Sequence, residues 1–389
     1  MNFRRLPLAV LLIAASAAQV VWCVRLTRAN LAVSEDTVNA LQKAVALAPC
    51  NADYYARLAT LDPDHRARLL GRALELNPRN ALLWIERGVN AEVSGDAAAA
   101  EASLLEAARW DHQYVPRWTL AAFYFRQRDP GKFRAWARQA LEMAWGDALP
   151  LFQMAAQLGM SLGDIRAGML PDRPPVLAAF IGECARRSDF DQVARTARRL
   201  IEIGSSDDRL AVLYAVESLF QAGRIPESMD VWNRAVGARW ITHGAVSSQA
   251  LLSNSDFAAE FLPAGLDWKQ PVIDGVTYWR LGPPRGLGIE LSGREPENCV
   301  LLAVPFPAEP GRRYAIETSV TLNGVAEGSG LKWKLGDREW DIKESSMSYE
   351  APGKAAPVQL LLSYNRAVGT RRIEGSISIQ KVTASEGAK

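Results

Sequence analysis

Between Ala81 and Asp111, small and bulky side chains recur at the spacing of two packed helices, and this rhythm constrains the fold more than anything else in the chain. Counting Ala81 as position 1, Trp84 falls at 4, Gly88 at 8, Ala91 at 11, Ala100 at 20, Leu104 at 24 and Ala107 at 27. Gly88 and Ala100 let two antiparallel rods approach closely, while Trp84, Leu104 and Leu105 are expected to fill the groove between them. Gly95-Asp96 supplies the turn and a helix N-cap. The same phase returns on either side. LQKAVALAP and LLGRALELNP read as second helices ending in proline; their Ala44 and Ala73 lie 29 residues apart, and Ala107 follows after 34 more. Trp118 and Ala122 repeat positions 4 and 8. A unit of this length cannot bury its apolar face alone, so neighbouring units must stack.

On these residues the chain resembles the tetratricopeptide repeat family over roughly residues 34–240. The resemblance implies an α-solenoid with a concave face that holds protein or peptide, and it implies no catalysis. Trp84, Trp118, Trp136, Trp145 and Trp232 are expected in the inter-helix core. Less regular pairs follow. In one of them Ser188 with Asp191 looks like a capping box, and in the next Pro226 suits a first helical turn. Pro171, Pro174 and Pro175 mark a break between the regular and irregular parts.

The N-terminus carries a different signal. Leu6 to Val24 contains no charge, and 19 residues at ~1.5 Å each reach about 28 Å, close to the hydrocarbon thickness of a bilayer. Arg4, Arg5, Arg25 and Arg28 flank this run, and Trp22 sits where an interfacial aromatic belongs. Two readings compete. A cleaved signal peptide would be cut after Ser16-Ala17-Ala18, whereas a retained anchor would use the whole of residues 6–24. The anchor is the expectation, because the apolar stretch continues past the cut to a full span. A short tail before a large body then places that body outside the cytoplasm, in a bacterial periplasm; the alternative is secretion after cleavage.

After Leu252 the period changes to two. Alternation predicts strands at Val276–Leu281, Leu287–Leu291, Tyr314–Leu322, Leu331–Leu335, Val358–Tyr364 and Ile373–Ile379, and the wholly apolar Cys299–Val304 reads as a central strand. Trp333 shares a face with Leu331 and Leu335 and belongs to the core. The charge cluster Asp337–Glu344 reads as a solvated loop. Short strands without a helix pattern indicate an antiparallel β-sandwich. The order of landmarks, from Asn254-Ser255-Asp256-Phe257 through Gly265-Leu266-Asp267-Trp268 to the closing Gly375–Val382, is similar to jelly-roll domains of the carbohydrate-binding-module type. That resemblance implies glycan contact by aromatic stacking, with Trp268, Tyr278, Trp279, Trp340 and Tyr349 as candidates. The bland alternative makes all five core or edge-covering residues.

Together these features divide the chain into an anchor over residues 1–30, a helical repeat domain over 31–250 and a sandwich over 251–389. The whole resembles bacterial membrane-anchored repeat proteins of envelope or exopolysaccharide systems. The expected role is a non-enzymatic scaffold with a protein partner on the repeats and a glycan or second protein on the sandwich; the alternatives are a glycan-active hydrolase or lyase, and a secreted glycan-binding protein. A charge balance of 45 Lys+Arg against 43 Asp+Glu argues against a nucleic-acid partner. Four scattered cysteines and three isolated histidines point to no metal site, no cofactor and no His-dependent nucleophile. No nucleophile elbow, zinc-protease helix, P-loop or dinucleotide fingerprint occurs, and Gly286-Leu287-Gly288 reads as a mere turn.

Overall fold

A computed structural model describes residues 6–387 except 145, 284, 327, 355 and 367. Fourteen α-helices come first among the described residues, followed by nine strands in two antiparallel sheets, so the fold is a helical-repeat array followed by a β-sandwich. Contacts divide the chain into two compact units.

The first unit holds α1 (Leu6–Val33), α2 (Val38–Leu47), α3 (Ala52–Leu61), α4 (Arg66–Leu76), α5 (Ala81–Val93), α6 (Ala97–Trp110), α7 (Tyr114–Arg126) and α8 (Pro130–Met143). The helices pair as α1·α2, α3·α4, α5·α6 and α7·α8. Gly88 explains how close one pair comes: a Cβ there would lie 2.8 Å from the Leu104 side chain and 3.2 Å from the Ala100 carbonyl. Ala100, Leu104 and Ala107 are buried as their spacing requires. Leu105 is not. It is 40% exposed, because it sits one residue past the packed stripe. Trp84, Trp118 and Trp136 are half-buried rather than central, since the small residues already close the seam. Trp145 lies outside the described residues.

The second unit holds most of α9 (Leu149–Gln157), then α10 (Leu162–Gly168), α11 (Pro174–Arg186), α12 (Phe190–Ile203), α13 (Arg209–Gln221), α14 (Ile225–Gly237) and all nine strands. Pro174 and Pro226 stand in the first turns of α11 and α14. The cap of α12 is Asp189, accepting from the Gln192 amide at 3.1 Å, and not Ser188, which takes a positive φ of 58° in the preceding turn. Trp232 is fully buried. Gly265, at φ +92°, lies so near that a Cβ would come 2.8 Å from its ring.

One sheet has the order β1 (Val276–Leu281), β2 (Gly286–Ser292), β9 (Glu374–Glu386), β4 (Arg313–Asn323), β7 (Ser346–Glu350). The other runs β3 (Asn298–Phe306), β8 (Val358–Asn365), β5 (Leu331–Leu335), β6 (Arg338–Asp341). Trp333, Tyr364, Phe306 and Trp268 are fully buried between the sheets. Three expectations change. Cys299–Val304 belongs to an edge strand; its continuous apolar run is covered because Lys269 pairs with Ala303 along that edge. Part of the supposed loop Asp337–Glu344 is β6, whose exposed alternation hides its pairing with β5. Gly286-Leu287-Gly288 opens β2 rather than forming a turn.

Candidate functional site

Of the five aromatic candidates for stacking, Trp268 and Tyr349 are enclosed. Trp268 has no exposed surface; its indole N–H donates to the Asn254 carbonyl at 3.0 Å and its ring lies 5.0 Å from that of Phe257. Tyr349 points inward from β7 beside Phe306. Neither ring can receive a sugar, which corrects the expectation for both. Trp340 is half-buried on β6, across from Trp333 in the register. Tyr278 turns inward from β1 and donates its hydroxyl to the Leu301 carbonyl at 2.7 Å, and burial pushes that hydroxyl up to about 12. Trp279, the next residue, faces outward and is 38% exposed.

Trp279 owes its position to Gly288, its cross-strand partner on β2. A Cβ on Gly288 would lie 2.1 Å from the indole, so the ring rests across bare backbone. Beside it opens a cleft of about 520 Å3 walled by Phe257, Phe261, Glu260, Gln270 and Arg280, with Tyr278 at its margin. Arg280 fixes the cleft loop by donating to the carbonyls of Ala258 and Ala259 at 3.2 and 2.8 Å, while the side chains of Glu260 and Gln270 are exposed. The structure thus brings together two of the five candidates and adds Glu260, Gln270 and two phenylalanines that no periodicity marks. Among the described residues that line the cleft, Glu260 is the one carboxylate; the usual glycosidase pair has two. Among the described residues, no group of three or more His, Cys, Asp or Glu could hold a metal ion.

A second concavity lies in the helical array. Ile85, Glu86, Val89, Asn90 and Val93 of α5 face Ala59, Thr60, Arg66 and Leu70 across a groove of about 370 Å3. Val89 and Val93 are 42% and 84% exposed, and Leu82 on the same helical stripe is 61% exposed. α5 is therefore apolar on two sides: Leu83 and Gly88 pack inward, whereas Leu82, Val89 and Val93 remain uncovered. Arg66 closes one rim by donating to the Ala59 and Thr60 carbonyls at the end of α3. Partial desolvation at the groove raises the Glu86 carboxyl, against the opposing pull of Arg66, although the residue keeps exposed surface. This stripe was legible as apolar residues at i, i+7 and i+11 on α5, although the repeat phase draws attention to the packed face instead.

α1 supplies a third feature. Val10–Val33 is the single helix among the described residues that is long and apolar enough to cross a membrane, and the most apolar stretch of that helix is not buried in the protein.

No family model matches the sequence, and no curated protein matches it. Solved structures with some likeness include YrrB, a TPR protein with an unusual peptide-binding site (14% identity over 52% of this chain and 94% of that one, TM-score 0.27). They also include the Pseudomonas aeruginosa pilF protein (14%, 58% and 91%, TM-score 0.28) and yeast Tom70 (15%, 51% and 46%, TM-score 0.29). Likeness of that degree carries no argument, and the architecture stands on the contacts described above.

Proposed function

We propose that this chain is a non-catalytic, membrane-tethered scaffold that grips an apolar segment of a partner protein in the α3–α5 groove. The uncovered stripe of Leu82, Val89 and Val93 beside that groove is the observation that carries the reading. A water-exposed row of this kind on a packed helix is what an amphipathic partner helix buries. α1 serves as the tether, and the body stands on the extracytoplasmic side. Leu82→Asp/Val89→Asp is expected to cut recovery of a membrane-derived partner about 10- to 100-fold, from the loss of two buried aliphatic contacts, with the helical circular dichroism unchanged. Equal recovery by the double variant and the parent would overturn the reading.

The sandwich supports a second contact, to an envelope glycan at the Trp279 cleft. An exposed indole fixed on Gly288, next to the free carboxylate and amide of Glu260 and Gln270, suits a pyranose ring with its hydroxyls. Gly288→Val forces the indole off the sheet. Affinity electrophoresis in polysaccharide gels should then show retention falling about two- to ten-fold, and Trp279→Ala should match it. Unchanged retention of both variants, or no retention of the parent, removes the glycan from the account.

A further inference from the structure

We infer that one edge of the first unit lies on the bilayer surface and is held there by tryptophan and arginine against anionic headgroups; the inference rests on α1 being the tether. α1 runs without a break from the exposed Val10, Leu11 and Ile13 to Ala29 and Val33, which are buried against Leu41 and Ala44 of α2. The Tyr54 hydroxyl, from α3, donates to the Asn30 side chain at 2.5 Å and locks the same turn. No linker therefore separates the apolar span from the array. Trp22 and Ala29 are seven residues apart, about 10 Å along the helix.

The array returns to the level of Trp22. Its indole, 48% exposed, lines a recess with Cys50 and Asn51 of the α2–α3 turn and Asn77 of the α4–α5 turn. From there the edge continues through direct contacts. The guanidinium of Arg79, in the α4–α5 turn, lies 5.5 Å from the ring of Trp110 at the end of α6, and that of Arg109 lies at the same distance. Trp110 is 39% exposed. An apolar span that emerges beside these turns carries them to the headgroup layer, where tryptophan rings settle and arginines meet phosphate.

The helix caps sort accordingly. In antiparallel hairpins, turns that follow α2, α4 and α6 fall on the Trp22 side, and turns that follow α1, α3, α5 and α7 fall on the other. On the far side the capping side chains are Thr37, Asp62, Asp96 and Asp129, joined by Glu35, Asp36 and Asp64 and by the cations Arg57, Arg66, Arg126, Arg128 and Lys132. On the near side the caps are the neutral Asn51 and Asn80, and Gln113 caps nothing. Asn and Asp cap helices about equally well, so capping alone does not dictate this division. Near-side carboxylates are Asp53, Asp111, Glu75, Glu106 and Glu142, the last three paired with Arg72, Arg109 and Arg138, and Arg25, Arg28 and Arg79 stand on the same side. Arg25, Arg28, Arg79 and Arg109 are the cations that a span emerging at Trp22 brings to anionic lipid.

The test uses the full chain in nanodiscs of phosphatidylcholine with or without phosphatidylglycerol. In a Cys23→Ser/Cys299→Ser background Cys50 is exposed and Cys184 buried, so a fluorophore goes to Cys50; a second sample carries it at Asp64→Cys with Cys50→Ser. Headgroup-nitroxide lipid should quench the Cys50 label and spare the Asp64→Cys label. Arg79→Gln/Arg109→Gln should lower the ratio of apposed to detached protein by about five-fold per arginine in the anionic discs. Equal quenching at both positions, in a chain that resists alkaline carbonate extraction from membranes, overturns the edge and leaves the tether standing. Release of the chain by carbonate overturns the tether and the edge together.

Discussion

Trp268→Ala is expected to lower the stability of the second unit by about 3–5 kcal/mol, the cost of emptying a fully buried indole site. Two terms combine. The ring fills the space beside Phe257 between the sheets, and its N–H satisfies the Asn254 carbonyl, which the substitution leaves without that donor. The next residue, Lys269, pairs with Ala303 and shields the β3 edge, so a collapse at Trp268 also loosens that cover. Urea unfolding followed by circular dichroism measures the loss. A variant with parental stability but lost polysaccharide retention would instead place Trp268 in a binding site.

The second large effect concerns His243 and Asp267. Their side chains are 1% and 0% exposed, with Nε2 and Oδ2 2.9 Å apart, and the same Oδ2 accepts from the Leu262 amide at 2.7 Å. His243 follows α14, where its ring meets Trp232 edge-on, and Asp267 immediately precedes Trp268. The pair therefore fastens the last helix to the entry of the sandwich. His243→Ala leaves a buried carboxylate with a single backbone donor, and we expect about 3–5 kcal/mol of destabilisation. Asp267→Asn, which keeps an acceptor for the Leu262 amide, should cost less. Denaturation of both variants checks the order; a loss below about 1 kcal/mol for His243→Ala would show that the carboxylate finds other partners.

What the sequence made legible follows from which interactions are periodic. The Gly88–Ala100–Leu104 contact announces itself because close helix approach needs small residues at fixed steps. Strands β2, β4, β5 and β8 were readable because apolar residues are buried along each, and β1 because its alternation leaves one face half-buried. β6 hid behind its exposed charges, and β7 buries just Met347 and Tyr349 between Ser and Glu residues, too few apolar positions to mark a period. Burial of Trp268 had no periodic signal, since it comes from an irregular segment held by Asn254 and Asp267. The binding surfaces were the least legible. Trp279 could be nominated but not separated from Tyr278 until the register set it over Gly288. The groove stripe on α5 needed to be known as uncovered, which depends on residues of α3 and α4 that sequence spacing does not place opposite it.

The central claim is that the α3–α5 groove holds a partner protein at the membrane. Site-specific photocrosslinking in intact membranes tests it most directly, with a benzophenone side chain at Val89 in the groove or at the exposed Ala102 on α6. The account predicts a discrete adduct of one protein from Val89, abolished by Leu82→Asp, and none from Ala102. No adduct from Val89, or the same adducts from both positions, would contradict it.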